Sequence, residues 1–299
     1  MSRFLEELRS GRVLLMDGAM GTELQRAGLK DGECGELWNL THPYRVREIH
    51  QAYERAGARV FLTNSFQSNP AALKRHHLET RLEAINLKAL ALARSVAGTD
   101  GFVLGDIGAI ASPNQDFSDS DLQSAFRVVR SLATADALFF ETYTHFSAFL
   151  IVNATRQFLT TFAKVPILIS FSFHRNSTGA LTTNDGRSAS ICANSAQQAG
   201  VEALGVNCGR EIGMDEIIEI IRAYRQETDL PLFARPNAGT PGRVGDRWVY
   251  PRTHEQMAAR LPELLEAGVS MIGGCCGTTP ELIAAFRPIV EQWNAQRQK

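Results

Sequence analysis

Met271-Ile-Gly-Gly-Cys-Cys-Gly-Thr-Thr-Pro280 is the stretch from which the rest of the chain can be read. An apolar strand, Val269 to Ile272, runs into two glycines, a cysteine pair, a third glycine and a helix-start signal at Thr279 and Pro280. It is a strand-turn-helix joint with thiols at its tip. Successive residues of an extended strand point to opposite faces, so Cys275 and Cys276 can share one ligand only if the backbone turns sharply around them. The flanking glycines permit that turn. The expectation is that both thiolates hold a metal ion and that a third ligand comes from elsewhere in the chain.

The bulk properties leave room for such a site. A chain of 299 residues can bury a large core. A net charge of -1 gives no counterion-release surface for nucleic acid and no polybasic patch for a membrane, so a small-molecule partner is expected. The first ten residues carry charges throughout and read as no signal peptide, and no apolar run approaches the roughly 20 residues that span a bilayer. Five cysteines, at 34, 192, 208, 275 and 276, are odd in number and few for the length. They point to reduced thiols and a cytoplasmic protein rather than a disulfide framework.

Working back from the joint, the same motif recurs along the chain. Apolar strands at 13–16, 59–63, 102–104, 137–140, 166–171, 203–206, 232–234 and 269–272 alternate with helical patterns, without a linker-like shift in composition. The reading is one domain, residues 1–299, folded as a single (β/α)8 TIM barrel of the α/β class. A doubly wound open sheet fits the alternation too, but the strand count and the lack of a GxGxxG fingerprint favour the barrel. The polar residues decide it. Asp17, Asn64, Asp106, Glu141, Asn207, Cys208, Asn237, Cys275 and Cys276 all follow carboxyl ends of strands, which a barrel gathers on its active face. The polar stretches 174–188 and 240–251 are long enough to be walls or lids.

Cys208 is the expected third ligand, because it follows strand six directly and strands two apart in a barrel have loops near enough to meet. Three thiolates with one open tetrahedral position describe a catalytic zinc site, since structural zinc takes four protein ligands. Cys34 lies in an early loop and Cys192 in a helix. The plainer reading of the trio is buried small hydrophobes or a vicinal disulfide.

With these residues in place the chain resembles the homocysteine S-methyltransferase family. The matching stretches are Asp17-Gly-Ala-Met-Gly-Thr-Glu-Leu24, Thr63-Asn-Ser-Phe66, Gly105-Asp-Ile-Gly108, Phe140-Glu-Thr142, Gly205-Val-Asn-Cys208, Pro236-Asn-Ala-Gly239 and Gly273-Gly-Cys-Cys-Gly-Thr-Thr-Pro280. The resemblance implies a zinc barrel in which Cys208, Cys275 and Cys276 hold Zn2+ and the thiol of homocysteine takes the fourth place, attacks an activated methyl donor and leaves as methionine. It implies Glu141, with Asp17, as partners of the substrate ammonium, and backbone amides around Ala19 and Met20 as partners of its carboxylate. Asn237 resembles a residue near the metal. Asn64 and Asn237 are counted with the substrate-binding residues, against the plainer reading that they pin turns.

The donor is read separately. The chain ends after one barrel and is expected to carry no cobalamin or folate module of its own. Leu37-Trp38 resembles the donor-side tryptophan of stand-alone relatives, and an aromatic face suits a sulfonium or betaine-type cation. Ordinary loop packing is the alternative for Trp38. The connection at 112–118 is brief for the family. Two other functions stay open: a subunit that activates homocysteine for a separate corrinoid or methylfolate protein, and a barrel lyase, which needs a Schiff-base lysine or phosphate loop at the strand ends. The seven histidines form no HxxxH or HExxH pattern, and His76-His77 reads as a solvated helix face.

Overall fold

A computed structural model describes residues 1–297 except 111–117, 162, 210 and 246. Most of the connection at 112–118 therefore lies outside the described residues. The barrel strands are β1 (Leu14–Leu15), β2 (Val60–Leu62), β3 (Phe102–Ile107), β4 (Ala137–Tyr143), β5 (Ile167–Phe171), β6 (Ala203–Asn207), β7 (Leu232–Arg235) and β8 (Val269–Ile272). Each pairs in parallel with its neighbours in the order β1-β8-β7-β6-β5-β4-β3-β2. A parallel bridge between Met16 and Val60 joins the two ends. Bonds from Arg59 N to Leu15 O (2.8 Å) and from Asp17 N to Val60 O (2.9 Å) complete that seam, so the sheet is a closed (β/α)8 barrel.

Alternation along each strand sorts the side chains into two cores. Outward residues such as Phe61, Val103, Leu138, Ile169 and Leu204 pack under the helices. Inward residues, among them Val60, Leu62, Leu104, Phe139, Leu168, Phe233 and Met271, fill the barrel. Gly205 faces Phe233, and a Cβ there would lie 2.1 Å from the ring, so glycine makes room for the largest inward side chain of β7. A short helix, Arg3–Leu8, escaped the sequence reading; its Phe4 and Leu8 belong to the same interior cluster, and Phe4 meets Phe102 at the start of β3 edge-on. It plugs the end of the barrel opposite the carboxyl face.

The crossover helices have the patterns that the sequence carries. In Pro43–Ala56, Val46, Ile49 and Tyr53 are buried, proline stands in the first turn and Gly57 stops the helix at φ 110°. Thr253 caps His254–Glu266 in a capping box with Gln256. The two long loops each hold a small hairpin, His174–Arg175 with Leu181–Thr182 and Gly242–Val244 with Arg247–Val249. His76 and His77 sit in a turn after the short helix Pro70–Lys74 rather than on a helix, because His77 takes φ 58°, a left-handed value that ends helical propagation. Among the described residues no helix is long and apolar enough to cross a membrane.

Candidate functional site

Above the apolar filling the barrel changes character. The last inward positions of the strands are Asp106 on β3, Glu141 on β4, Ser170 on β5, Asn207 on β6 and Arg235 on β7, with Asp17 just past β1. Of these, Asp17, Asp106, Glu141 and Arg235 line the floor of a cavity of about 460 Å³, whose walls include Asn64, Phe66, Cys208, Tyr250, Cys275 and Cys276. No lysine is among its described lining residues, so a Schiff-base lyase has no nucleophile there.

The three thiols converge. Cys208 and Cys276 Sγ are 4.0 Å apart, as are Cys275 and Cys276 Sγ, and all three sulfurs lie within 4.8 Å of one another. Metal–sulfur bonds of about 2.3 Å at tetrahedral angles require sulfurs about 3.8 Å apart, so little movement is needed to hold an ion. The backbone is bent to bring them there. Cys208 adopts φ 55°, a left-handed conformation that costs a non-glycine residue about 1 kcal/mol or more and recurs at functional sites. In the cysteine pair, Cys275 N donates to Pro236 O (2.9 Å), Cys276 O accepts from Ala238 N (3.0 Å), and Thr278 closes a turn onto Cys275 O. Gly277 follows at φ 78° with the Tyr250 ring against its α-carbon, where a Cβ would lie 2.1 Å away.

The thiols are oriented from behind. Asn207 donates from Nδ2 to Cys275 Sγ (3.6 Å) and to Thr142 Oγ1 (2.6 Å), while its Oδ1 accepts from Ser170 Oγ (2.6 Å). Asn237 Nδ2 donates to Cys208 Sγ (3.5 Å), and its Oδ1 is buried with no hydrogen-bond partner among the described residues. An orphaned amide oxygen on the side chain that bonds Cys208 Sγ fits a metal centre, since buried acceptors are ordinarily satisfied. Hydrogen bonds from Cys275 and Cys276 hold the Cys208 thiol well below its ordinary pKa and against the pull of burial, so the cluster favours one thiolate even with thiol neighbours. Substituting Asn207 by alanine is expected to weaken metal affinity about 10- to 100-fold while the thiols remain. Competition with a chromogenic chelator measures it.

Arg235 is the residue that sequence reasoning missed. It is 3% exposed, and its Nη1 lies 2.8 Å from Asp17 Oδ1 while Nε lies 3.5 Å from Glu141 Oε1. The same guanidinium donates to the carbonyls of Asp17 and Gly18. Asp17 Oδ2 in turn accepts from Leu62 N (2.9 Å). A signal was present: three carboxylates at one barrel mouth demand a cation, and Arg235 occupies the inward phase of its strand. Glu141 is aimed by an irregularity in β4, whose register against β5 shifts between Phe140 and Tyr143 and whose Thr142 takes φ 58°. Burial raises the Glu141 pKa to about 7; Arg235 opposes the rise, and the Cys208 and Asp17 charges add to it. Burial likewise raises Asp17, against Arg235.

The other expected site residues separate into two groups. Asn64, Ala19 and Met20 line the cavity. The Ala19 amide is engaged with Thr278 Oγ1 (3.1 Å), and Asn64 Nδ2 spans to Gly35 O and Asn39 Oδ1. Trp38 does not line the cavity. It faces a separate groove with Cys34 and His42, its ring is 4.6 Å from the His42 ring, and the Arg45 guanidinium stands 5.4 Å over it. The face that would attract a cationic ligand is taken by an arginine of the same chain.

Barrel and site together define an enzyme-type thiolate centre: three cysteine sulfurs that could bind a metal, open on one side to a cavity with buried carboxylates. The chain belongs to the homocysteine S-methyltransferase family, whose sequence profile matches residues 14–290. It is 30% identical to the homocysteine S-methyltransferase of Escherichia coli K12, over 92% of this chain and 94% of that one. It is also 29% identical to the methionine synthase of Mycobacterium tuberculosis over 92% of this chain, where it spans about a quarter of the relative's length (24%). Among solved structures, the metallated form of the E. coli homocysteine methyltransferase MmuM superposes with a TM-score of 0.73 at 29% identity, covering 95% of this chain and 99% of that one.

Proposed function

We propose that this protein transfers a methyl group from a cationic donor, of the sulfonium or betaine type, to the thiol of homocysteine, giving methionine. The observation that carries the reading is the three-sulfur cluster opening into the same cavity as Glu141, a spacing that lets one small amino acid present its thiol to the cysteines and its ammonium to a carboxylate. Zinc, the ion that thiolate sites of this kind select, supplies when held by Cys208, Cys275 and Cys276 the charge that deprotonates a substrate thiol.

The chain's own residues do the rest. Both oxygens of Asp17 are already engaged, by Arg235 and by Leu62 N, whereas among the described residues Glu141 has only the 3.5 Å contact with Arg235. Glu141 is therefore the principal partner of the ammonium, with Asp17 fixing Arg235 beside it. Met20 opens the helix Met20–Arg26, and its amide is the better partner for the substrate carboxylate because that of Ala19 is engaged. Asn237 holds Cys208, and Asn64 frames the wall next to Glu36. A cytoplasmic location, where thiols stay reduced, completes the proposal.

The test is methionine formation from homocysteine with a sulfonium, a quaternary ammonium and a methylfolate donor. The likeness to the methionine synthases supports a second reading, a homocysteine-activating barrel that draws its methyl group from a corrinoid protein. Failure of every small donor and success with such a partner would select it.

A pH dependence follows from Glu141. Its folded pKa is raised above that of an unfolded glutamate, so between about 4.5 and about 7 the folded state binds the extra proton, and stability falls as pH rises through that window. Ammonium binding needs the ionised form and so strengthens over the same range. Glu141→Gln should show a flatter stability profile between pH 5 and 8 and should lose the rise near pH 7 in kcat/KM for homocysteine. Unchanged profiles in both measurements would remove Glu141 from this role.

A further inference from the structure

Asp106 is the carboxylate in the cavity that nothing yet accounts for. It is 4% exposed on β3, and in the closed ring β3 stands opposite β7, which lies between the two cysteine-bearing strands. Its backbone is pinned: the amide donates to Thr63 Oγ1 (2.9 Å) and the carbonyl accepts from Ser65 Oγ (2.7 Å). Its side-chain Oδ1 is buried and has no hydrogen-bond partner among the described residues. Of the other carboxylates of the floor and wall, Glu141 is assigned to the homocysteine ammonium, and Asp17 and Glu36 are held within the protein. Asp17 and Glu141 share Arg235, and Glu36 accepts from Gln67 N (2.9 Å). Burial and then the nearby charge of Glu141 push the Asp106 pKa well above the carboxylate range, against the opposing charge of Arg235.

An aromatic side chain packs two residues beyond it. Gly108, two residues beyond Asp106, donates from its amide to Phe66 O (3.0 Å), and its α-carbon lies so close to the Phe66 ring that a Cβ would be 2.9 Å from Cδ2. Phe66 also lines the cavity. A buried carboxyl whose Oδ1 has no bonded partner, on a cavity wall shared with an aromatic ring, suits an onium cation, which would draw it into its ionised form and gain the attraction of the ring quadrupole. The position is also right for the second substrate, because the thiol sits at the cysteines and the methyl group must arrive from the opposite side of the cavity.

We infer that Asp106 is the donor-binding carboxylate, which with Phe66 selects a methyl donor bearing its positive charge at the transferable methyl. This rests on the methyltransferase reading and names the substrate class of its second site. Transfer balances without a further reactant: the bond from the donor's onium atom to the methyl carbon breaks with its electron pair returning to that atom, and the substrate thiolate supplies the pair for the new sulfur–carbon bond. The donor leaves neutral at the onium atom. The attraction to Asp106 is thereby lost with the transfer, which favours release of the demethylated donor.

The experiment uses zinc-loaded full-length protein, S-methylmethionine as the sulfonium probe, and the variants D106N and D106E. The KM and the calorimetric Kd for S-methylmethionine should rise about tenfold or more in D106N, as for loss of one partner of a buried charge pair. The KM for homocysteine should stay within about twofold, and D106E should recover part of the loss. An unchanged donor Kd, or a rise confined to homocysteine, overturns the assignment. If no donor yields methionine but D106N still loses S-methylmethionine, the transferase reading falls and Asp106 keeps its role; if methionine forms only from a methylfolate, the reverse holds.

Discussion

Cys208→Ala is expected to lose bound zinc, from one equivalent per chain to none retained after gel filtration, and to cut methionine formation at least about 100-fold. Cys208, Cys275 and Cys276 lie within 4.8 Å of one another, and an alanine removes one of three anionic sulfurs without offering a replacement. Asn237, whose Nδ2 donates to Cys208 Sγ, is neutral and cannot offset the ionic charge. The two other cysteines give the control. Cys192 is buried in the helix Ala189–Gln198 and Cys34 precedes a short helical turn at the separate groove, so Cys192→Ala and Cys34→Ala should keep full metal content. Metal analysis on reduced protein decides the matter: full zinc retention in Cys208→Ala would remove the centre on which the proposed chemistry depends.

Arg235→Met should cost about 3–5 kcal/mol of stability, the loss seen when one member of a buried ion pair is removed and its partners stay charged in the interior. For a chain of this size that is a fall of roughly 5–15 °C in Tm. Arg235 is the cation between Asp17 and Glu141, and it also holds the Asp17 and Gly18 carbonyls. Asp17 in turn bonds Leu62 N across the seam where β1 meets β2. The side chain thus ties β7, β4 and the barrel closure together at the mouth. Methionine has similar length, so the effect is charge rather than volume. Adding Asp17→Asn to Arg235→Met should recover part of the loss, because one of the stranded carboxylates is gone. Thermal unfolding of the four proteins in the cycle gives the coupling, and a Tm for Arg235→Met equal to that of the wild type would exclude the triad as a structural tie.

The barrel was legible because its signals are local and repeated. Each apolar strand is followed by a turn and a helix with its own stop, and eight such units leave few ways to bury their faces. The cysteine trio was legible for a related reason: in a barrel, position after a strand fixes position around the mouth, so Cys208 and the pair at 275–276 could be matched from their strand numbers alone. Small departures came where local rules compete. The helix Arg3–Leu8 is too short to show a period, and His77 left the helical region at a turn that its residue type does not announce.

The sequence by itself determined the fold class, the three sulfurs and the carboxylate at 141, because periodicity and strand-end position are properties of the chain taken in order. Only the tertiary structure decided which charges meet. Arg235 reaches Asp17 across 218 positions, the amide of Ala19 is claimed by Thr278, Arg45 covers the ring of Trp38, and Asp106 Oδ1 is left without a hydrogen-bond partner among the described residues. The physical reason is that burial and pairing depend on distance through space. A residue's type tells what charge it brings to a barrel mouth, and the closed ring determines which neighbour is there to answer it.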